Sequence, residues 1–303
     1  MKQYRIFHGR QDFTQVLDRM HQEENYSLAI LDNGSAASLA KLLASYESLH
    51  CSVMVLGCWT REQVQSLSSI YSKAMFIAFD ELPTPAQMIN IASSCATSSY
   101  LLVMRSDMTL VKLDMPALVS IMTSDLRPLA LCPMCYGSSG DLLPTVRIPR
   151  ILGSAKVGSI AFMPERSLTR TLYPVYGAAF FNLALLAKLK GYDEEIFDAC
   201  WRSYDLGSRA WLQGSPLYIT DAFSVSFSQW RTSVENLVSL GTKERVIART
   251  LGVWRVLGRN RINYLCRVKP RVFREAVKPI LPLYKTDFRH LCESWPDPSS
   301  EMQ

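Results

Sequence analysis

The stretch Tyr100-Leu101-Leu102-Val103-Met104-Arg105-Ser106-Asp107 sets the reading of the chain. From Tyr100 to Met104 it is apolar at every position, without the alternation of a strand that keeps one face in water. Such a strand is covered on both faces. The same design recurs upstream. Leu28-Ala29-Ile30-Leu31 runs into Asp32-Asn33-Gly34-Ser35, a turn signal with Ser35 placed to cap a helix. Ser52 to Leu56 and Ala74 to Phe79 are further apolar runs, the second ending at Asp80, and Tyr4 to Phe7 offers an opening strand. Between them apolar residues recur at helical spacing: Phe13, Val16, Leu17 and Met20; Leu39, Leu42, Leu43 and Tyr46; Thr60, as cap, through Tyr71; Pro85 through Ala96. Alternation of buried strands with helices predicts a doubly wound α/β sheet. In such sheets ligands sit at the carboxyl ends of strands. Asp32, Asp80 and Asp107 each lie just past one, a position that helix capping explains equally well.

The 303 residues suffice for one large domain or two small ones. With 48% hydrophobic and 20% charged residues, a disordered or low-complexity chain is excluded. The net charge of +6 is too small to argue for nucleic acid, but it is unevenly placed. Residues 243–289 hold 13 Lys/Arg and 3 Asp/Glu, a net of +10, which leaves −4 for the rest. There is no apolar run of ~18 residues and no apolar leader, so the expected location is cytoplasmic, peripheral on a membrane at most. The eight Cys show no paired framework and read as reduced, mostly buried thiols. Cys132-Pro133-Met134-Cys135 lacks the second pair of a zinc site and the following helix of a redox site, and reads as structural.

Downstream, Asp125 to Gly158 is rich in Pro and Gly and reads as a looping excursion. Pro174 to Leu189 reads as a helix stopped by Gly191, and Asp193 to Leu212 as an acidic loop followed by a helix. Lys243 to Leu257 reads as a basic amphipathic helix with Ile247, Leu251 and Trp254 on its apolar side. Pro270, Pro279 and Pro282 interrupt the chain beyond that helix, and Pro296 to Gln303 is expected to fray.

Three ordered pieces within residues 100–221 resemble family 2 glycosyltransferases. The strand ending at Asp107 resembles the one that carries that family's Asp-X-Asp motif. Tyr176-Gly177-Ala178-Ala179-Phe180-Phe181-Asn182, with Gly191-Tyr192-Asp193-Glu194, resembles its acceptor-side helix and turn. Asp205-Leu206-Gly207-Ser208-Arg209 resembles the end of its Glu-Asp-X-Asp-Leu-X-X-Arg segment. The resemblance implies a GT-A-like fold, a Rossmann-related mixed sheet flanked by helices, over residues 1–235, with a basic, mostly helical C-terminal extension over 236–303. It implies a hexosyltransferase that moves sugar, with inversion, from a nucleotide-diphosphate sugar to a glycan or glycolipid. In such an enzyme a divalent Mn or Mg ion steadies the diphosphate and a carboxylate takes the acceptor proton.

The sequence departs from the family at its chemical positions. Arg105 replaces the first Asp of Asp-X-Asp, leaving Asp107 as the remaining metal candidate. Arg202 and Ser203 replace the Glu-Asp pair, and no His stands near Phe227. The uracil-contacting Asp falls on Gly57 in one register and on Asp32 in another. One reading is metal-independent: Arg105 and Arg202 bind the diphosphate with Asp32, Asp107 and Arg209 on the donor side. Asp205 is then the base, backed by Asp193 or Glu194, with Gly177 and Asn182 bordering the acceptor. The other reading is a catalytically degenerate binding or scaffold protein. For residues 243–289, a packed helical extension, a membrane-surface anchor suited to a lipid-linked acceptor, and nucleic-acid binding are open, the last least favoured.

Overall fold

The sequence alternation places successive side chains on opposite sides of a sheet, and the computed structural model shows both sides covered. It describes residues 3–8, 26–32, 51–153, 156–165, 167–196, 198–227, 243–263 and 268–296, together with Leu39, Leu42, Leu43, Tyr46 and Leu49. Strands β1 (Tyr4–His8), β2 (Tyr26–Leu31), β3 (Ser52–Gly57), β4 (Ala74–Phe79) and β5 (Tyr100–Arg105) form one half of a ten-stranded sheet. In it β4, β3, β2 and β5 run parallel, and β1 lies antiparallel on the outer edge. Leu28, Ile30, Val55, Phe76, Leu102 and Met104 face one core, with the helical Leu39, Leu42, Leu43 and Tyr46 and Val64 of α1 (Arg61–Ile70). Ala29, Leu31, Met54, Ile77, Leu101 and Val103 face the other, with Ala86, Ile89 and Ala92 of α2 (Pro85–Cys95). Thr60 and Thr84 begin these helices with reciprocal capping to Gln63 and Gln87.

The second half is mixed. Strands β6 (Met108–Leu113), β7 (Ala130–Tyr136), β10 (Leu168–Thr171), β11 (Ala179–Asn182) and β12 (Leu217–Phe227) complete the sheet, with α3 (Met115–Thr123) after β6. Antiparallel β11 joins β5 to β7, and β12 runs parallel to β7. Phe180 and Phe181 of β11 are fully buried on opposite faces, each contributing roughly 1.5–3 kcal/mol. Two expectations are corrected here. The excursion 125–158 contains β7 and most of a separate hairpin, β8 (Val146–Gly153) with β9 (Lys156–Phe162). Of the helix expected over 174–189, only α4 (Leu183–Lys188) forms; before it come a tight turn and β11, because Phe180 and Phe181 gain more from bridging two strands than from a helix. Cys132 and Cys135, three apart on β7, point into opposite cores and cannot pair; burial pushes both thiols up, Cys135 to about 12. Of the seven described Cys only these two are buried, and Cys58 is exposed.

Beyond the sheet, α5 (Ala199–Leu212) packs against α6 (Lys243–Thr250) and α7 (Phe288–Glu293), and α6 packs against the short turns Pro270–Val272 and Phe273–Val277. Their shared core holds Tyr173, Ile196, Tyr204 and Leu212 with Val246, Val253, Val277, Tyr284 and Phe288. The basic helix expected over 243–257 ends at Thr250; β13 (Val253–Val256) and β14 (Arg259–Ile262) then form a hairpin, since Gly252 lets the chain turn with its backbone against Ala248 and Phe273. The expected helix 13–20, Asn33 to Ser35, the fraying expected beyond Pro296 and the boundary at 235/236 lie outside the described residues. No described helix is long and apolar enough to cross a membrane.

Gly207 shows how closely α5 is seated: a Cβ there would lie 1.9 Å from the Leu172 carbonyl oxygen. Gly207→Ala is expected to lower unfolding free energy by roughly 2–4 kcal/mol in denaturant titration, although alanine is the better helix former.

Candidate functional site

Strand order reverses between β2 and β5, because β3 and β4 follow β2 on one side and β5 pairs with it on the other. Such a switch point leaves a crevice at the carboxyl ends of the strands. Asp32 ends β2, with its amide donating to Leu56 O (2.8 Å). Ser106, just past β5, donates its amide to Leu31 O (2.9 Å) and its hydroxyl to Asp32 Oδ1 (3.0 Å). Trp59 Nε1 donates to Asp32 Oδ2 (2.9 Å), its ring lying over Gly57, where a Cβ would strike it at 2.5 Å. Asp80 is drawn away from this group to Arg5 (2.5 Å).

Beside the crevice a cleft opens, with a cavity volume of about 90 Å³. Pro85, Ala86 and Ile89 of α2 line it, with Tyr173, Pro174, Val175 and Gly177, with Ala199, Cys200, Arg202 and Ser203 of α5, and with Arg105. Gly177 (φ +75°) belongs to the turn that shapes the cleft, a conformation suited to glycine. Two other depressions, which share Ile148, Trp295 and Pro296, contain none of the candidate residues.

The cleft brings together Arg105, Arg202 and Gly177 from separate parts of the sequence. Arg105 grips Asp107 through Nε (2.9 Å to Oδ1) and Nη2, so Nη1 is outside that pair. Arg202 is 3% exposed and its Nε donates to Ile196 O. Burial pulls its pKa below the ordinary value, against the opposing influence of Glu194, Asp193 and Asp198. Among the described residues no carboxylate lies within ion-pair distance of it. A desolvated guanidinium in that position gains from any anion that enters.

Asp205 and Arg209 are not brought to the cleft. Asp205 is 1% exposed and accepts from Arg209 Nε (2.7 Å) and Arg249 Nη1 (2.7 Å). Arg209 spends its other nitrogens on Leu189 O (2.5 Å) and Gly191 O (2.8 Å), capping the end of α4. Asp193 is held by Arg249 (2.7 Å) and Arg245 (2.9 Å). Burial pushes its carboxyl up, but these two cations keep it below its ordinary 3.8. Asn182 caps α4 through Leu185 N (3.1 Å). Glu194 accepts from Asn90 Nδ2 (3.1 Å), and Asn90 also clamps the Tyr192 backbone (2.8 and 3.0 Å) next to the left-handed Gly191. The sequence reading missed Ser106, Trp59, Asn90, Arg245 and Arg249. Ser106 stands inside the strand-end motif, and Arg245 and Arg249 share one face of a basic helix at i,i+4, which are the signals that point to them.

The residues present do not fit the divalent cation implied by the resemblance. Arg105 occupies both oxygens of Asp107, the Asp32 oxygens accept from Ser106 and Trp59, and no group of three or more His, Cys, Asp or Glu side chains gathers among the described residues.

Asp205→Asn is expected to cost about 3–5 kcal/mol of stability in denaturant titration, because two buried guanidiniums lose their shared partner. Asp193 adds a pH dependence. Its folded pKa is depressed, so its stabilisation is complete above the unfolded pKa and is lost as pH falls through the folded one. Melting temperature should therefore fall on acidification below about pH 4, and less steeply in Asp193→Asn.

No protein-family model matches this sequence, and no curated protein does. Solved structures do match in fold. The crystal structure of GalNAc-T7 with UDP, GalNAc and Mn2+ superposes with a TM-score of 0.66 at 11% identity, over 91% of this chain and 57% of that one. S. aureus TarS matches with a TM-score of 0.50 at 16% identity, over 74% of this chain and 39% of that one. Its 1–349 portion gives 0.51 at 17%, over 74% and 64%. The chain thus spans 39% to 64% of the length of these structures. Identities this low speak to fold alone, and the mixed sheet with its flanking helices is the GT-A fold of these glycosyltransferases.

Proposed function

We propose that the cleft between Arg105 and Arg202 holds the diphosphate of a nucleotide-sugar and that the protein transfers the sugar to a hydroxyl of a glycan or glycolipid. The observation that carries this is the buried Arg202 facing the same cleft as Arg105, at the switch point of a GT-A fold. Guanidinium groups bind a diphosphate in bidentate fashion and stabilise the charge that grows on it as the sugar leaves. Asp32, steadied by Ser106 and Trp59, borders the nucleoside. UDP in the GalNAc-T7 crystal makes uridine nucleotides the first donors to test.

In a single displacement with inversion, the acceptor oxygen bonds to the anomeric carbon while the bond to the diphosphate oxygen breaks. The nucleotide diphosphate leaves, and the acceptor proton passes to a carboxylate. Of the three acids considered for that role, Asp205 and Asp193 sit inside ion pairs. Glu194, held by Asn90 on the turn beside Arg202, is the acid that suits the role.

A second reading, a binding protein without turnover, is favoured by the engagement of Asp205, Asp193 and Asp107 with arginines. Calorimetric titration with nucleotide diphosphates, followed by transfer assays with matching sugar donors, separates the two. Transfer is expected, with Glu194→Gln lowering kcat by roughly 10²–10⁴ at unchanged nucleotide affinity. Arg105→Ala should weaken nucleotide binding about tenfold or more. Nucleotide binding with no transfer from any donor would favour the second reading, and no nucleotide binding would remove the transferase reading.

A further inference from the structure

The hairpin β13–β14 carries a two-sided pattern that the fold explains on one side only. Its register pairs Val253 with Ile262, Trp254 with Arg261, Arg255 with Asn260, and Val256 with Arg259. Directly paired residues share a face. One face is therefore Val253, Ile262, Arg255 and Asn260, and it is anchored to the body. Val253 is buried, and Asn260 Nδ2 donates to Leu281 O (2.7 Å) and Tyr284 O (2.8 Å). Arg255 donates through Nη1 to Tyr284 O (3.0 Å) and through its amide to Asp287 Oδ2 (2.9 Å).

The opposite face is Trp254, Val256, Arg259 and Arg261. Trp254 is 38% exposed and Val256 43%, and both arginines are exposed. At the tip stand Leu257 (φ +49°) and Gly258 (φ +75°), two left-handed residues that make the turn matching strand twist. Asn or Asp is the residue suited to the first of these positions, because its short polar side chain hydrogen-bonds the local backbone and offsets the cost of a left-handed conformation. Leucine occupies it instead and is 97% exposed. Within the chain, this leucine contributes nothing that asparagine would not.

We infer that the outer face and tip of β13–β14 dock onto an anionic lipid surface, with Leu257, Val256 and Trp254 entering the headgroup boundary and Arg259 and Arg261 meeting the phosphates. The charge pattern selects this partner. Residues 253–262 contain three Arg and no acid, within a segment of net charge +10. Arg245 and Arg249 of α6 are neutralised internally by Asp193, Asp205 and Glu195, whereas Arg259 and Arg261 of the hairpin are exposed. Tryptophan and arginine around an apolar tip suit the interface between headgroups and hydrocarbon. A nucleic acid would be served by the arginines but not by an exposed leucine. This inference is independent of the cleft: vesicle binding and nucleotide binding fail separately.

The test is co-sedimentation of the full chain with vesicles of phosphatidylcholine alone or mixed with phosphatidylglycerol, at low and high salt. Binding to the mixed vesicles is expected to exceed binding to phosphatidylcholine about tenfold or more and to weaken with salt. Leu257→Asn, which relaxes the turn, should keep or raise the melting temperature while lowering vesicle affinity by about threefold to tenfold. Arg259→Glu with Arg261→Glu should abolish the preference for anionic lipid. Equal binding to both vesicle types, or unchanged binding by Leu257→Asn, would overturn the proposal. So would binding of a single-stranded oligonucleotide that needs the two arginines but not Leu257, in the absence of vesicle binding.

Discussion

A buried set of arginine–carboxylate pairs holds the second half of the molecule in register. Arg249 reaches from α6 to Asp205 on α5 and to Asp193 on the turn after α4, Arg209 joins Asp205 to the carbonyls that end α4, and Arg245 adds a second hold on Asp193. Removing Asp205 would leave the buried Arg209 without its carboxylate and Arg249 with one fewer, a loss larger than that of an apolar contact. The consequence is positional. Arg202 lies one turn before Asp205 on the same helix, so the pairs that seat α5 also set where Arg202 meets the cleft.

The other side of the cleft is set by strand order. Because β2 and β5 are neighbours with β3 beyond, the polar residues that end them cannot be covered by a connecting helix and remain at the crevice. There Asp32 meets the consecutive Arg105, Ser106 and Asp107, although it lies seventy-four positions before Ser106 in the chain. Arg105 and Arg202 line one cleft, and among the described residues only Arg105 is paired with a carboxylate, a charge balance that suits an anion.

The first half was legible because its strands are apolar on consecutive positions and its helices open with Thr caps; β4 spans Ala74–Phe79 as expected, and α1 ends at the residue before Tyr71. The second half was less so. In Phe180-Phe181 the same residues satisfy a helical pattern and a strand buried on both faces, and only the neighbours β5 and β7 decide. Likewise Trp254 fits an amphipathic helix by spacing, yet Gly252 and the Leu257-Gly258 turn make it part of a hairpin. At the site, the departures Arg105 and Arg202 were visible as residues, but their meeting across one cleft depends on long-range packing. The burial of Asp205 depended on Arg249, forty-four positions away, which no local pattern shows.

An anion site made of side-chain guanidiniums is probed by calorimetric titration of the purified protein with UDP in the presence of EDTA and again with excess Mn2+. Measurable heat is expected with EDTA, with little change on adding the metal and loss of most of the affinity when Arg202 is replaced by methionine in a protein that remains folded. Binding that appears only with the metal, or that is indifferent to Arg202, would contradict such a site.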